Sequence, residues 1–80
     1  MSVPARPLSE LSIGASGRVV RIDGPGEVRG RLLEMGLTAG ATVKLVRTAP
    51  LGDPLELMVR GYRLSVRRSE AAAVIVEAVE

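Results

Sequence analysis

The sequence predicts a mainly β fold, in which about five short strands form a small closed or half-closed barrel with one inserted α-helix and short helical turns. Three observations support this prediction. Apolar and polar residues alternate in several short segments, glycine or proline separates these segments, and one segment has the roughly 3.6-residue period of a helix. A chain of 80 residues without a repeat or a linker predicts one domain, 1–80, with its core at about 7–79.

The first predicted elements are a single helical turn at 7–11 and a strand at 18–22. The strand prediction rests on the valines and the isoleucine of this segment, which favour extended backbone. Alternation along the strand puts Val20 and Ile22 on one face, and we expect that face to be buried in the core.

A helix is predicted at 25–35, because it starts with a proline suited to the first helical position and carries an apolar stripe. The stripe consists of Val28, Leu32 and Met35. Gly36 is expected to end the helix in the left-handed conformation, so that Leu37 packs back on Leu32.

Two positions in this helix do not follow the stripe. Gly30 is unfavourable in a helix interior, which suggests that another segment approaches it closely. Leu33 lies roughly 100° around the helix from the stripe, so it is a candidate for contact with a partner.

Four further strands follow, at 42–48, 55–59, 62–66 and 74–79. The segment 49–54 is predicted to be a turn because it contains two prolines and a glycine. A short helical turn at 69–72 precedes the last strand. Tyr62 falls on the inward-facing set of its strand, so we expect it in the core with its hydroxyl at the barrel rim.

The composition excludes several classes of site. The chain contains no cysteine and no histidine, so disulfides, zinc sites and histidine-activated nucleophiles have no residues to form them. A net charge of +2 with one aromatic residue argues against nucleic-acid binding. We therefore expect a binding module without a cofactor, and no enzymatic activity.

The distribution of apolar residues argues against insertion into a membrane. The longest uninterrupted apolar run, 71–76, is far shorter than the about 20 residues of a membrane-spanning helix. Residues 1–10 lack the apolar stretch of a secretory signal. The expected location is the cytoplasm.

Two blocks of sequence resemble the FeoA family. The first contains LSEL at 8–11 and RLLEMGL at 31–37. The second contains APLGDP at 49–54, VRGY at 59–62 and LSVRRSEA at 64–71. The resemblance covers about 7–79, and the order and spacing of the blocks together make it specific.

The resemblance implies an SH3-like β-barrel that acts as the small, non-catalytic cytosolic component of a bacterial ferrous iron uptake system. The implied partner is the membrane ferrous iron transporter, which carries a cytosolic GTP-binding domain. The protein would then lie at the inner membrane through its partner, and it could also self-associate. A similar barrel forms the C-terminal domain of iron- and manganese-dependent transcriptional regulators. We expect no DNA-binding domain here, since few residues precede the barrel.

We do not expect this protein to carry iron. Histidine and cysteine, which suit ferrous iron, are absent, and within the predicted helix no two acidic residues are three or four positions apart. The protein is instead expected to act through contacts with another protein.

Two segments are candidates for partner binding. At the helix end the candidate residues are Leu33, Met35, Gly36 and Leu37, and in the proline-containing turn they are Leu51, Gly52, Asp53 and Pro54. A rigid turn lowers the ordering cost of binding and would project Leu51 from its tip. For the turn, the alternative is an ordinary tight turn in which Asp53 bonds its own backbone and Leu51 folds over the barrel. For the helix end, the alternative is a helix that buries a wider arc of its surface.

A secondary basic patch consists of Arg60, Arg63 and Arg67. Arginine suits an acidic partner surface or phosphates, while the alternative is a solvated face that contributes little. Two other functions stay open. The first is an SH3-like regulator-type domain or small-barrel nucleic-acid-binding module, whose binding to nucleic acid would depend steeply on salt. The second is an enzyme that uses a pair of carboxylates.

Overall fold

The computed structural model describes residues 4–79 and contains six antiparallel strands in one sheet. The strands are β1 (Ala5–Pro7), β2 (Ser16–Ile22), β3 (Thr42–Thr48), β4 (Leu55–Val59), β5 (Tyr62–Val66) and β6 (Val74–Val79). A 3₁₀ turn (Leu8–Glu10), helix α1 (Gly26–Glu34) and helix α2 (Arg68–Ala71) complete the fold. The order across the sheet is β1-β6-β2-β3-β4-β5, so β1 and β5 are its two edges, and within residues 4–79 no hydrogen-bonded ladder joins them.

The sequence pattern predicted every strand except β1. This strand has three residues, of which Arg6 lies opposite Val76 of β6. Pro7 ends it, and proline is tolerated in a sheet mainly at an edge. A segment so short, with proline at its end, has no alternation from which a strand could be predicted.

Strand β2 differs from the prediction in which residues it buries. Its register against β6 shifts between Val19 and Arg21, as in a β-bulge. The extra residue reverses the alternation, so Val19 and Ile22 are buried while Val20 is 37% exposed. The assignment of Val20 to the core was therefore wrong, because strict alternation assumes an unbroken ladder.

The core is formed by the inner side chains of the sheet, closed by the 3₁₀ turn and by α1. Its largest fully buried side chains include Leu8, Leu32, Leu37, Leu55 and Leu57. Leu32 and Leu37 belong to the same apolar cluster, which confirms that the chain folds back on the helix end.

Helix α1 ends in a Schellman motif at the predicted position. Gly36 has a φ of 100° and donates its N–H to the carbonyl of Leu33, and Leu37 donates to the carbonyl of Leu32. Pro25 is the N-cap and not the first helical residue, since its ψ is 145°. Within residues 4–79, no helix is long and apolar enough to cross a membrane.

Three further expectations need correction. Apart from its chain neighbours and the backbone of its own helix, nothing lies within 4 Å of the position that a Gly30 Cβ would occupy, so no other segment approaches this glycine. Helix α2 begins at Arg68, one residue earlier than predicted. Tyr62 belongs to the inward set but is the first residue of β5, where it is 44% exposed, so it lines the rim and not the core.

Candidate partner-binding surface

The segment 49–54, called the Leu51 loop below, closes on itself between β3 and β4. Ala49 donates its N–H to the carbonyl of Pro54 at 3.0 Å, and Gly52 donates to the carbonyl of Ala49 at 2.7 Å. Gly52 has a φ of 85°, in the left-handed region that favours glycine. The loop is therefore a tight turn, as its composition predicted.

Arg68, at the start of α2, holds this loop against the body of the domain. Its backbone N–H donates to Asp53 Oδ1 at 3.0 Å, and its Nε donates to the carbonyl of Gly52 at 2.9 Å. The guanidinium also donates to the carbonyl of Ser9 at 3.2 Å. Asp53 thus bonds α2 and not its own loop, and one arginine joins three segments that are distant in sequence.

Leu51 projects from the tip of the fixed loop and is 97% exposed. It does not fold over the end of the sheet, which was the alternative to a role in recognition. A nearly fully exposed leucine on a restrained loop gains no packing energy in this fold.

The helix end divides the other four candidate residues into two groups. Leu33 is 41% exposed and Met35 and Gly36 are half-buried, so these three can contact a partner. Leu37 is fully buried in the core. We therefore correct its assignment: Leu37 completes the Schellman motif and supports the helix end from inside.

An open cleft of about 340 Å³ brings the predicted segments together. It is lined by Arg31, Met35, Pro54, Ser65, Val66, Arg67 and Glu70. One residue of each predicted cluster is present: Met35 from the helix end, Pro54 from the Leu51 loop and Arg67 from the basic patch. The three clusters, separate in sequence, therefore border one concavity.

Glu70 organises this cleft, although no sequence pattern predicted it as a site residue. Its side chain is buried, forms an ion pair with Arg31 of α1, and accepts a hydrogen bond from the N–H of Arg67 at 3.0 Å. The second contact is half of a capping box, which the acidic residue three positions after Arg67 could have indicated. The first joins residues far apart in sequence, and no local pattern predicts it.

The basic patch extends along β5 from its turn to the cleft. Arg60 donates to Thr38 Oγ1 at 2.8 Å, Arg63 lies opposite Met58 on β4, and Arg67 lines the cleft. None of the three forms an ion pair with another residue of 4–79, whereas Arg18, Arg21, Arg31 and Arg47 do.

Nowhere within residues 4–79 do three or more carboxylates come together in a way that could hold a metal ion. The arrangement instead combines an exposed leucine on a fixed loop, a half-exposed helix end, a cleft and three arginines free of ion pairs. Such a surface can bind another protein through a small apolar contact with a charged rim.

Comparison with known proteins identifies relatives of the whole domain. The family model described as FeoA domain matches residues 6–78. The Fe(2+) transport protein A/Fe(2+) transporter FeoB fusion protein of Porphyromonas gingivalis is 43% identical over 72 residues, which are 90% of this chain and 8% of that protein. This chain thus spans a small part of that relative's length.

Two solved structures have the same fold. A FeoA-like protein from Clostridium acetobutylicum superposes with a TM-score of 0.90 at 35% identity, over 100% of this chain and 92% of that one. FeoA of Stenotrophomonas maltophilia, described as an SH3 domain protein complexed with zinc, gives 0.77 at 33% identity, over 89% and 88%. The mainly β, SH3-like fold is thereby confirmed, and this chain belongs to the FeoA family, which is associated with ferrous iron transport.

Proposed function

We propose that this protein is a non-catalytic accessory component of ferrous iron uptake that binds the membrane ferrous iron transporter at its cytosolic side. One observation carries the proposal: a domain 43% identical to this chain occurs in the same polypeptide as the FeoB transporter in the P. gingivalis protein. Fusion keeps two domains at a high effective concentration, which is useful when they act on each other.

The docking surface in this proposal consists of the Leu51 loop and the exposed part of the helix end. The loop is already ordered by Arg68, so binding costs little conformational entropy there. Leu51 and Leu33 supply apolar area, and the cleft beside Met35 and Pro54 supplies a concave surface for a partner side chain. Arg67 at the cleft contributes charge at the rim.

The mechanism in this proposal is a shift in populations, with no chemistry done by the accessory protein. A protein that binds one state of the transporter more tightly than another shifts the transporter toward that state. The GTP-binding domain of the transporter cycles between nucleotide states, so selective binding there would couple this protein to the transport cycle. The absence of histidine and cysteine fits a role without catalysis or iron binding.

The proposal is tested by measuring the affinity of this protein for the purified full-length transporter in detergent or nanodiscs. We expect the double variant Leu33→Ser, Leu51→Ser to bind at least about tenfold more weakly, because each buried leucine contributes roughly 1.5–3 kcal/mol. Ile13→Ser is the matched control, since Ile13 is also exposed (63%) but is not part of the docking surface.

A titration of the isotope-labelled protein with the transporter's cytosolic domain, with and without a GTP analogue, maps the surface. Amide shifts confined to 33–37 and 51–53 support the proposed surface. Affinity and iron uptake that the double variant leaves unchanged, with no shifts in these segments, would show that the surface is wrong.

A further inference from the structure

The two edges of the sheet differ in how well they are protected. Edge β1 has three residues and ends in Pro7, and a short strand with proline is a usual defence against pairing with another chain. Edge β5 has five residues, contains no proline and pairs only with β4 in the described part of the chain. Its outer edge is therefore open.

The positions of the free backbone groups on β5 follow from its hairpin. Arg60 and Gly61 form a two-residue turn in which both φ angles are positive, 51° and 85°, as a type I′ turn requires. The residues flanking such a turn exchange hydrogen bonds, so Tyr62 bonds β4, and the alternation of an antiparallel ladder then directs the backbone groups of Arg63 and Ser65 away from β4. Both are exposed. They present two N–H and two C=O groups in the spacing that an added strand needs.

The side chains around this edge decide what kind of strand fits. Arg63 and Ser65 point to the outer face, and no residue of 4–79 forms an ion pair with Arg63. The inner face of this edge carries two apolar side chains that are not fully buried: Tyr62 is 44% exposed and Leu64 is half-buried. Because side chains of paired strands alternate together, an added strand would meet Arg63 on one face and the apolar Tyr62 and Leu64 on the other.

We propose that the β5 edge binds an extended segment of a partner protein by strand addition, and that acidic side chains alternate with apolar ones in that segment. The acidic side chains face Arg63 on the outside of the sheet, and the apolar ones pack beside Tyr62 and Leu64 on its inner face. This inference rests on the proposed function, since it names the chemistry of the segment that a partner inserts next to the docking surface.

A second copy of this chain is a poorer occupant of the same edge. Pairing of two β5 strands would place Arg60, Arg63 and Arg67 of both copies close together, and like charges on adjacent strands repel each other. The arginines therefore act against self-pairing and favour an acidic strand. Main-chain hydrogen bonds supply affinity in such complexes, while alternate side chains select the sequence.

The test uses the intact protein and a capped peptide of about seven residues, the length of a typical strand, in which glutamate alternates with valine. We expect the peptide to shift the amide signals of Arg63, Ser65 and Val66, and a peptide with lysine for glutamate to leave them unchanged. Arg63→Glu should weaken binding of the acidic peptide about tenfold or more. Arg6→Glu on the protected edge β1 is the matched control and should bind as the wild type does.

Two N-methylated versions of the peptide test strand addition itself. One carries methyl groups on the glutamate amides and the other on the valine amides, so only one of them removes the donors that face β5. We expect one version to lose binding and the other to keep it. Equal loss, or no loss, in both versions would overturn strand addition and leave a purely electrostatic contact.

Two other results would also overturn the proposal: no amide shifts with the acidic peptide, or shifts of Arg63 and Ser65 on simple concentration of the protein, which would assign the edge to self-association. The peptide titration contains no transporter. Its failure therefore leaves the proposed function standing, while the Leu33 and Leu51 variants test that function separately.

Discussion

The Tyr62 hydroxyl donates a hydrogen bond to the main-chain carbonyl of Met35, joining the start of β5 to the end of α1. The Schellman motif uses the carbonyls of Leu32 and Leu33, but it leaves that of Met35 without a helical partner. Tyr62, the one aromatic residue of the chain, supplies the missing donor. The helix end is thus capped by the strand that borders the cleft.

Removal of this hydroxyl should destabilise the fold moderately. We expect Tyr62→Phe to lower the free energy of unfolding by about 1 kcal/mol, the usual net contribution of one hydrogen bond. The ring is half-exposed, so its packing changes little. Urea unfolding followed by far-UV circular dichroism measures the change. An unchanged unfolding midpoint would mean that water replaces the hydroxyl without cost.

The same substitution should have opposite effects at Gly30, inside α1, and at Gly36, which follows the end of that helix. Gly36 has a φ of 100° and its added Cβ would collide with the Tyr62 hydroxyl, so Gly36→Ala should destabilise by more than about 1 kcal/mol. Gly30 lies in the helix with open space around it, so Gly30→Ala should stabilise by roughly 0.5–1 kcal/mol. Denaturant unfolding of both variants checks the pair, and destabilisation by Gly30→Ala would contradict the open space seen there.

Local sequence patterns predicted the elements of this fold well. The helix end at Gly36 and the packing of Leu37 on Leu32 both depend on neighbouring residues in the chain. The bulge in β2 could not be predicted in this way, because it depends on pairing with β6, and β1 carries too few residues for a pattern.

The candidate surface was predictable only in part, for the same physical reason. An exposed Leu51 and a half-exposed Leu33 follow from a turn and from helix geometry. The contacts that order the surface join residues far apart in sequence: Arg68 with Gly52, and Arg31 with Glu70. Long-range contacts leave no local pattern, so the outer residues could be predicted from the sequence and the contacts that hold them in place could not.

Loss of the Arg68 side chain should loosen the Leu51 loop while leaving the fold intact. Arg68→Ala removes the two side-chain hydrogen bonds to the carbonyls of Gly52 and Ser9 and keeps the backbone bond to Asp53. We expect faster hydrogen exchange at the Gly52 amide and a loss of global stability below about 1.5 kcal/mol. Arg29→Ala, an exposed arginine of α1, is the control and should leave loop exchange unchanged. Equal exchange in both variants would show that the loop orders itself.

Because of the bulge in β2, we expect the same substitution to have different effects on stability at two adjacent valines. Val19 is buried and Val20 is 37% exposed, although strict alternation assigns Val20 and not Val19 to the core. Threonine has nearly the shape of valine, so it tests the environment without creating a cavity. Val19→Thr buries a hydroxyl and should destabilise by about 1–3 kcal/mol, whereas Val20→Thr should stay within about 0.5 kcal/mol of the wild type. Thermal or urea unfolding of the two variants measures the difference. A larger loss at Val20 than at Val19 would place β2 in the unshifted register, with Val20 in the core and no bulge against β6.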